Sequence, residues 1–170
     1  MKKIILLTLL ILTSIGNLTA QDDKSEMITD LKNYVDSISS KLNTLQHDYD
    51  YLYCNHEIAI MKHEISDLSN SIANATNGIL ITCYHGSFDI DLYSAHRRNY
   101  NSAIDLSTTF KEKAEVIKAE VLMKIFTSGF TDAERSILMR GCDLLDSSLS
   151  QLQSSLDYYK KVLDIYKNLR

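Results

Sequence analysis

The stretch Ile28–Leu52, ITDLKNYVDSISSKLNTLQHDYDYL, decides the fold. Its apolar residues Ile28, Leu31, Val35, Ile38, Leu42, Leu45, Tyr49 and Leu52 advance in alternating steps of three and four without a miss. Residues three and four apart stack on one face of an α-helix, and the alternating step is the heptad seam of helices that pack side by side. The positions between them, among them Asp30, Lys32, Asp36, Ser37, Lys41, Asn43 and Asp48, are polar. A second seam follows through Ile58, Met61, Ile65, Leu68, Ile72 and Ala75, and Asn77-Gly78 after it reads as a helix stop.

The two seams are out of register. Continued from Leu52, the first would reach positions 56 and 59, whereas the second begins at Ile58. A slip of two residues turns the stripe by about 200° on an unbroken helix. Either the chain breaks near Tyr53–His56, with Asn55 as a cap, or one helix carries two stripes on opposite sides. The all-round apolar cluster Tyr49, Tyr51, Leu52, Tyr53, Cys54 suits a buried junction and tips the reading toward a break. Gly78–Gly86 is a short apolar run between two glycines with no partner strand elsewhere, so 78–90 is read as a connecting segment or short helix.

A third helix is expected from about Ile90 to Ser128 on the stripe Tyr93, Tyr100, Ile104, Phe110, Ala114, Ile117 and Val121, ended by Gly129. The last helix announces itself through Thr131 and Glu134, which have capping-box spacing. Its seam is Leu138, Cys142, Leu145, Leu149, Leu152, Leu156, Tyr159, Leu163 and Tyr166, and Lys160, Lys161, Lys167 and Arg170 suit the negative end of its dipole. The composition agrees. The 170 residues include no Pro and only 5 Gly, too few for the turns of a sandwich or barrel, and 45% apolar residues are too many for wholesale disorder. The expected fold is all-α: an elongated up-and-down helical bundle or coiled coil of three or four long helices, a single domain over residues 21–170.

Residues 1–20 read as a signal peptide. Lys2 and Lys3 precede the apolar run Ile4–Leu12, and Leu18-Thr19-Ala20 offers a small residue at a cut before Gln21. The apolar core is shorter than the roughly 20 residues a bilayer span needs, and no later stretch reads as a membrane span. The expected location is periplasmic or extracellular. Loss of Lys2 and Lys3 carries the formal charge from −4 to −6. An acidic chain without a basic stripe is a poor match for phosphate backbones, so no nucleic-acid partner is expected; Arg97-Arg98 reads as a solvated helix face.

Catalytic and metal chemistry find little footing. His56-Glu57 and His63-Glu64 recur seven residues apart, about 10.5 Å along a helix, too far for one metal to join both imidazoles. Cys54-Asn55-His56 and Cys83-Tyr84-His85 together hold zinc-type ligands, but the helix between them separates the pairs by roughly 30 Å. No Gly-flanked serine elbow and no phosphate-cradling Gly loop is present. Ser147, Ser148, Ser150, Ser154 and Ser155 read as a solvated face of the last helix. No cofactor, metal or catalytic residue is assigned, and the chain is not read as an enzyme.

The cysteines lend themselves to a bond. With the lower ends of the helices level, Cys54 lies 28 residues above Glu26 and Cys142 lies 27 residues above Leu169, so at about 1.5 Å per residue both stand near the same height. A Cys54–Cys142 disulfide is one reading and a pair of buried thiols the other; Cys83 is the odd one, free to link two chains. Ten tyrosines also need an account. Tyr is apolar along its ring and polar at its tip, which suits a core edge or a contact surface. Tyr51, Tyr53, Tyr84 and Tyr158 are the candidates for contact with a partner.

The heptad helix with Leu42-Asn43-Thr44-Leu45-Gln46-His47-Asp48-Tyr49, the stretch Phe130-Thr131-Asp132-Ala133-Glu134-Arg135 before the last helix, and Tyr158-Tyr159 within it resemble small periplasmic helical proteins of conjugal-transfer systems associated with type IV secretion. The resemblance covers about two-thirds of the chain. It implies a long helical bundle with a smaller appendage, no catalysis and a role at a pilus or transfer channel; it assigns no role to any single residue here. The expected function is thus a non-catalytic exported scaffold or partner-binding component of the cell envelope, working through protein contact or self-association. The alternative from another class is a bundle that holds a small apolar ligand or lipid between its helices.

Overall fold

The computed structural model describes residues 21–169, with side chains from Lys24 onward. The expected signal peptide, 1–20, lies outside the described residues. Three helices account for nearly all of the rest: α1, Gln21–Tyr84; α2, Ile90–Thr127; and α3, Asp132–Lys167. The all-α bundle expected from the seams is present, with three helices. No break occurs at Tyr53–His56: α1 continues through it for 64 residues. The reason is in the register. On the unbroken helix Tyr49 and Leu52 are exposed while Cys54, Ile58 and Met61, out of step with them, are buried.

Helix α1 also passes the expected stop at Asn77-Gly78 and ends at Tyr84. Glycine inside a helix costs about 1 kcal/mol against alanine. Ile79, fully buried one residue later, keeps the second stripe in step, and Leu80 and Cys83 pack against the same core. The connection therefore shortens from 78–90 to 85–89. Gly86 takes the left-handed conformation that only glycine adopts at no cost, with φ +68°, and its amide donates to the Cys83 carbonyl. Asp89 then caps α2, its carboxylate accepting from the Asp91 and Leu92 amides at 2.8 and 3.1 Å.

The described chain divides after Asp48 into two bodies. Residues 21–48 are helix throughout. Their apolar stripe is not buried anywhere: Ile28, Ile38 and Leu42 are 42–43% exposed, Leu45 is 65% exposed, and Leu31 and Val35 are half-buried.

Residues 49–169 form a three-helix bundle. Its core takes Cys54, Ile58, Met61, Ile65, Ile72 and Ile79 from α1, Ala103, Ala114, Val121 and Ile125 from α2, and from α3 the whole expected seam except Leu149, which is half-buried. On α2 the predicted Ile104 is partly exposed and Ala103 takes the inward place. Gly141 on α3 gives close approach its reason: a Cβ there would lie 2.9 Å from Ile58 Cδ1. The capping box is complete, with the Glu134 amide donating to Thr131 Oγ1 at 3.3 Å and the Thr131 amide donating to Glu134 Oε2 at 2.8 Å.

Two polar clusters fix the helices against each other. Asp50, buried on α1, accepts from Lys124 Nζ at 2.8 Å and Ser128 Oγ at 2.6 Å. Ser128 is the C-cap of α2, so this carboxylate holds the α2–α3 turn, and Tyr51 beside it meets buried Phe130 edge-on at 6.0 Å. At the other end, the rings of Phe88, Tyr93 and Tyr166 pack tilted against one another with centroids 5.3–6.5 Å apart, and Tyr166 Oη accepts from the Asp89 amide at 2.9 Å. One step along, buried Tyr159 donates to the His96 carbonyl at 3.2 Å. Since its single proton is then used, the His96 Nδ1–H, 2.9 Å away, is assigned as donor to the phenol oxygen. Burial lowers the His96 pKa and pushes the Tyr159 phenol up to about 12.

Candidate partner-binding groove

Helices α1 and α2 part along one side of the bundle and leave a groove of about 460 Å³. From α1 it is lined by Glu57, Ile60, Met61 and Glu64, and from α2 by Thr109, Glu112, Lys113, Val116, Ile117 and Glu120. Both sets step by three and four, so each is one continuous face of its helix. Met61 is buried and Ile117 half-buried at the base, while Ile60 and Val116 are 42% and 66% exposed. The margins are acidic, with Glu57, Glu64, Glu112 and Glu120 against the single ammonium of Lys113.

Local contacts set the margins. Lys113 Nζ lies 3.9 Å from Glu64 Oε2 and 5.8 Å from the centroid of the Phe110 ring on its own helix. Tyr53 Oη donates to Glu120 Oε2 at 3.3 Å, and its ring stacks on Tyr49 at 6.2 Å. Burial and the Glu120 charge raise the Tyr53 pKa. An apolar strip with carboxylates on both sides is suited to an amphipathic helix that carries basic residues beside its apolar face. Ile60 and Val116 are apolar residues off the main seams, a signal present in the sequence but overshadowed by the stripes.

The four tyrosines singled out from the sequence do not come together as one surface. Tyr51 and Tyr53 are half-buried and engaged with Phe130 and Glu120 within the bundle. Tyr84, 89% exposed, and Tyr158, 53% exposed, present their rings to solvent.

In place of the Cys54–Cys142 bond suggested by equal heights, the structure has three free thiols: Cys54 and Cys142 buried and Cys83 half-buried. Burial, with Asp50 next in effect, pushes the Cys54 thiol up to about 11, and burial also raises Cys142 and Cys83. His56 and His63 are exposed on α1, with His63 Nε2 3.4 Å from Asp67. Among the described residues no cluster of three or more His, Cys, Asp or Glu is placed to hold a metal ion, and no helix is long and apolar enough to cross a membrane. Thr76 is buried and donates to the Ile72 carbonyl at 2.7 Å. No family model, curated protein or solved structure matches the chain.

Proposed function

We propose that this chain is a non-catalytic, exported helical scaffold that binds a protein partner in the cell envelope. The process implied by the resemblance described above is conjugative DNA transfer. The observation that carries the reading is the groove between α1 and α2, where Ile60 and Val116 line an apolar strip between four carboxylates. A bundle with one open apolar side completes itself by accepting a further helix, and acidic margins select one with Lys or Arg beside its apolar face. The lipid-holding alternative draws on the same apolar strip. An enclosed ligand would need its walls inside the protein, whereas Val116 stands largely in solvent.

A photo-crosslinking residue at Val116 tests this in the producing cells. The expected result is a discrete adduct with one envelope protein, absent when the probe sits at Ser147 on the polar face of α3 and lost when Ile60→Glu is added. An adduct pattern at Val116 no different from that at Ser147 defeats the proposal. Native mass spectrometry that finds a retained lipid, displaced by Val116→Glu, replaces it with the alternative.

A further inference from the structure

The stripe on residues 28–45 of α1 is a separate matter from the groove. Ile28, Leu31, Val35, Ile38, Leu42 and Leu45 repeat at steps of three and four, and none is buried. In heptad terms Ile28, Val35 and Leu42 occupy a positions and Leu31, Ile38 and Leu45 occupy d positions. A helix cannot cover its own stripe, and helices draw most of their stability from packing such a face.

We infer that two copies of this chain zip together through residues 28–45 as a parallel, in-register, two-stranded coiled coil. The inference rests on the reading of the chain as a contact protein but does not involve the groove.

Three observations select a second copy. First, the a positions hold Ile28, Val35 and Leu42 and the d positions Leu31, Ile38 and Leu45, and the leading heptad, β-branched Ile28 at a with Leu31 at d, is the combination that favours two parallel strands. Second, the flanks match themselves. The e positions are Lys32, Ser39 and Gln46, and the g positions are Met27, Tyr34 and Lys41. In a parallel pair each g residue meets the e residue five places on in the other copy, which sets Met27 beside Lys32, Tyr34 beside Ser39 and Lys41 beside Gln46. No like charges meet, and the stem of Lys32 can lie along Met27. Third, the area suffices. Met27 and Tyr34 are 53% and 66% exposed next to the stripe. With their contribution, two copies remove roughly 1,000 Å² of surface from water, about what a specific interface requires.

Two and a half heptads make a modest zipper, so the association should depend on concentration. Sedimentation velocity of the purified chain from about 1 to 200 µM is expected to show a monomer–dimer equilibrium. Leu31→Asp/Leu42→Asp is expected to raise the dissociation constant at least ten-fold while leaving the thermal unfolding of the bundle in place. Ile28→Cys in a Cys83→Ser background is expected to form a disulfide-linked dimer, because only a parallel in-register pair brings position 28 to its own copy. A chain that stays monomeric throughout, a trimer or larger species, an undiminished dimer in the double-Asp variant, or no crosslink from position 28 overturns the inference. Loss of this dimer leaves the Val116 adduct untouched, and loss of that adduct leaves the dimer untouched, so the two proposals fail separately.

Discussion

Replacing Asp50 is the most direct way to test how the bundle is held. Asp50→Ala removes both acceptors, leaving Lys124 Nζ and Ser128 Oγ without their 2.8 and 2.6 Å partner oxygens. Removing one member of a buried pair costs about 3–5 kcal/mol. Lys124 retains a quarter of its side-chain exposure and can turn to water, which places the expected loss at about 3 kcal/mol. For a protein of this size that corresponds to a fall in Tm of roughly 6–12 °C. Urea unfolding followed by far-UV circular dichroism reads the free energy directly, provided the slope with denaturant is unchanged. Lys124→Met in the Asp50→Ala background should then cost less than in the wild type by at least about 1.5 kcal/mol, since the ammonium it removes has already lost its partner. The alkaline limb supplies a second reading. The hydrogen bond to Asp50 raises the Lys124 pKa above its ordinary 10.5. Above pH 10.5 the unfolded chain gives up this proton while the folded one keeps it. The contribution is therefore complete below 10.5 and is lost as pH rises through the folded value. An Asp50→Ala chain with unchanged midpoint, or a Lys124→Met cost equal in both backgrounds, refutes the reasoning.

Other measurements bear on the remaining contacts. Gly141→Ala gains up to about 1 kcal/mol of helix propensity but drives a methyl against Ile58. A net loss of about 1 kcal/mol is expected, and Ile58→Val, which removes Cδ1, should recover at least half of it in the double variant; urea titration of all four chains decides. Tyr159→Phe strips the phenol from His96 and should cost about 1–3 kcal/mol by the same assay. Burial lowers the folded pKa of His96 from 6.5, so the unfolded chain binds this proton first and stability falls as pH drops below about 6.5. His96→Gln should flatten that slope. An aromatic disulfide reagent should modify Cys83 in the native chain while Cys54 and Cys142 react only on unfolding. Titration in denaturant without reductant should count three thiols; a count of one would mean that two of the three cysteines are bonded.

Helix α3 was almost fully legible because every level of its sequence agrees: capping box, unbroken seam and basic end. Helix α1 was misread at two places for one reason. Local signals at Tyr53–His56 and Asn77-Gly78 argued for ends, while tertiary burial of Cys54, Ile58 and Ile79 carried the helix through both. The Asp50 site was invisible. Its partners lie 74 and 78 residues away, and between Tyr49 and Tyr51 a lone aspartate reads as an ordinary solvated position. The groove was half visible: Ile60 and Val116 broke the polar faces of their helices, but only the spacing of α1 and α2 in the fold sets them across from each other.

The deeper ambiguity lies in the seams themselves. Those through Leu42 and through Met61 carry the same steps of three and four, yet one is buried in the bundle and the other is exposed. Periodicity specifies that a face must be covered; it does not specify by what. The flanks hold the missing information. Beside the inner stripe stand Tyr53, Glu120, Asp50 and Lys124, groups that find each other only within this chain. Beside the outer stripe stand Met27, Tyr34, Lys32 and Lys41, whose heptad places match an identical neighbour. Charge reversal separates the two cases. Lys41→Glu/Gln46→Lys keeps the stripe and exchanges the outer flank, so a parallel pair of such chains should remain dimeric. Lys32→Glu makes the first e position acidic, and should drive these chains into heterodimers with a Met27→Lys partner in preference to either homodimer. Mixed sedimentation that shows no such preference would mean the flanks do not choose the partner, and the self-match argued from them would fall with it.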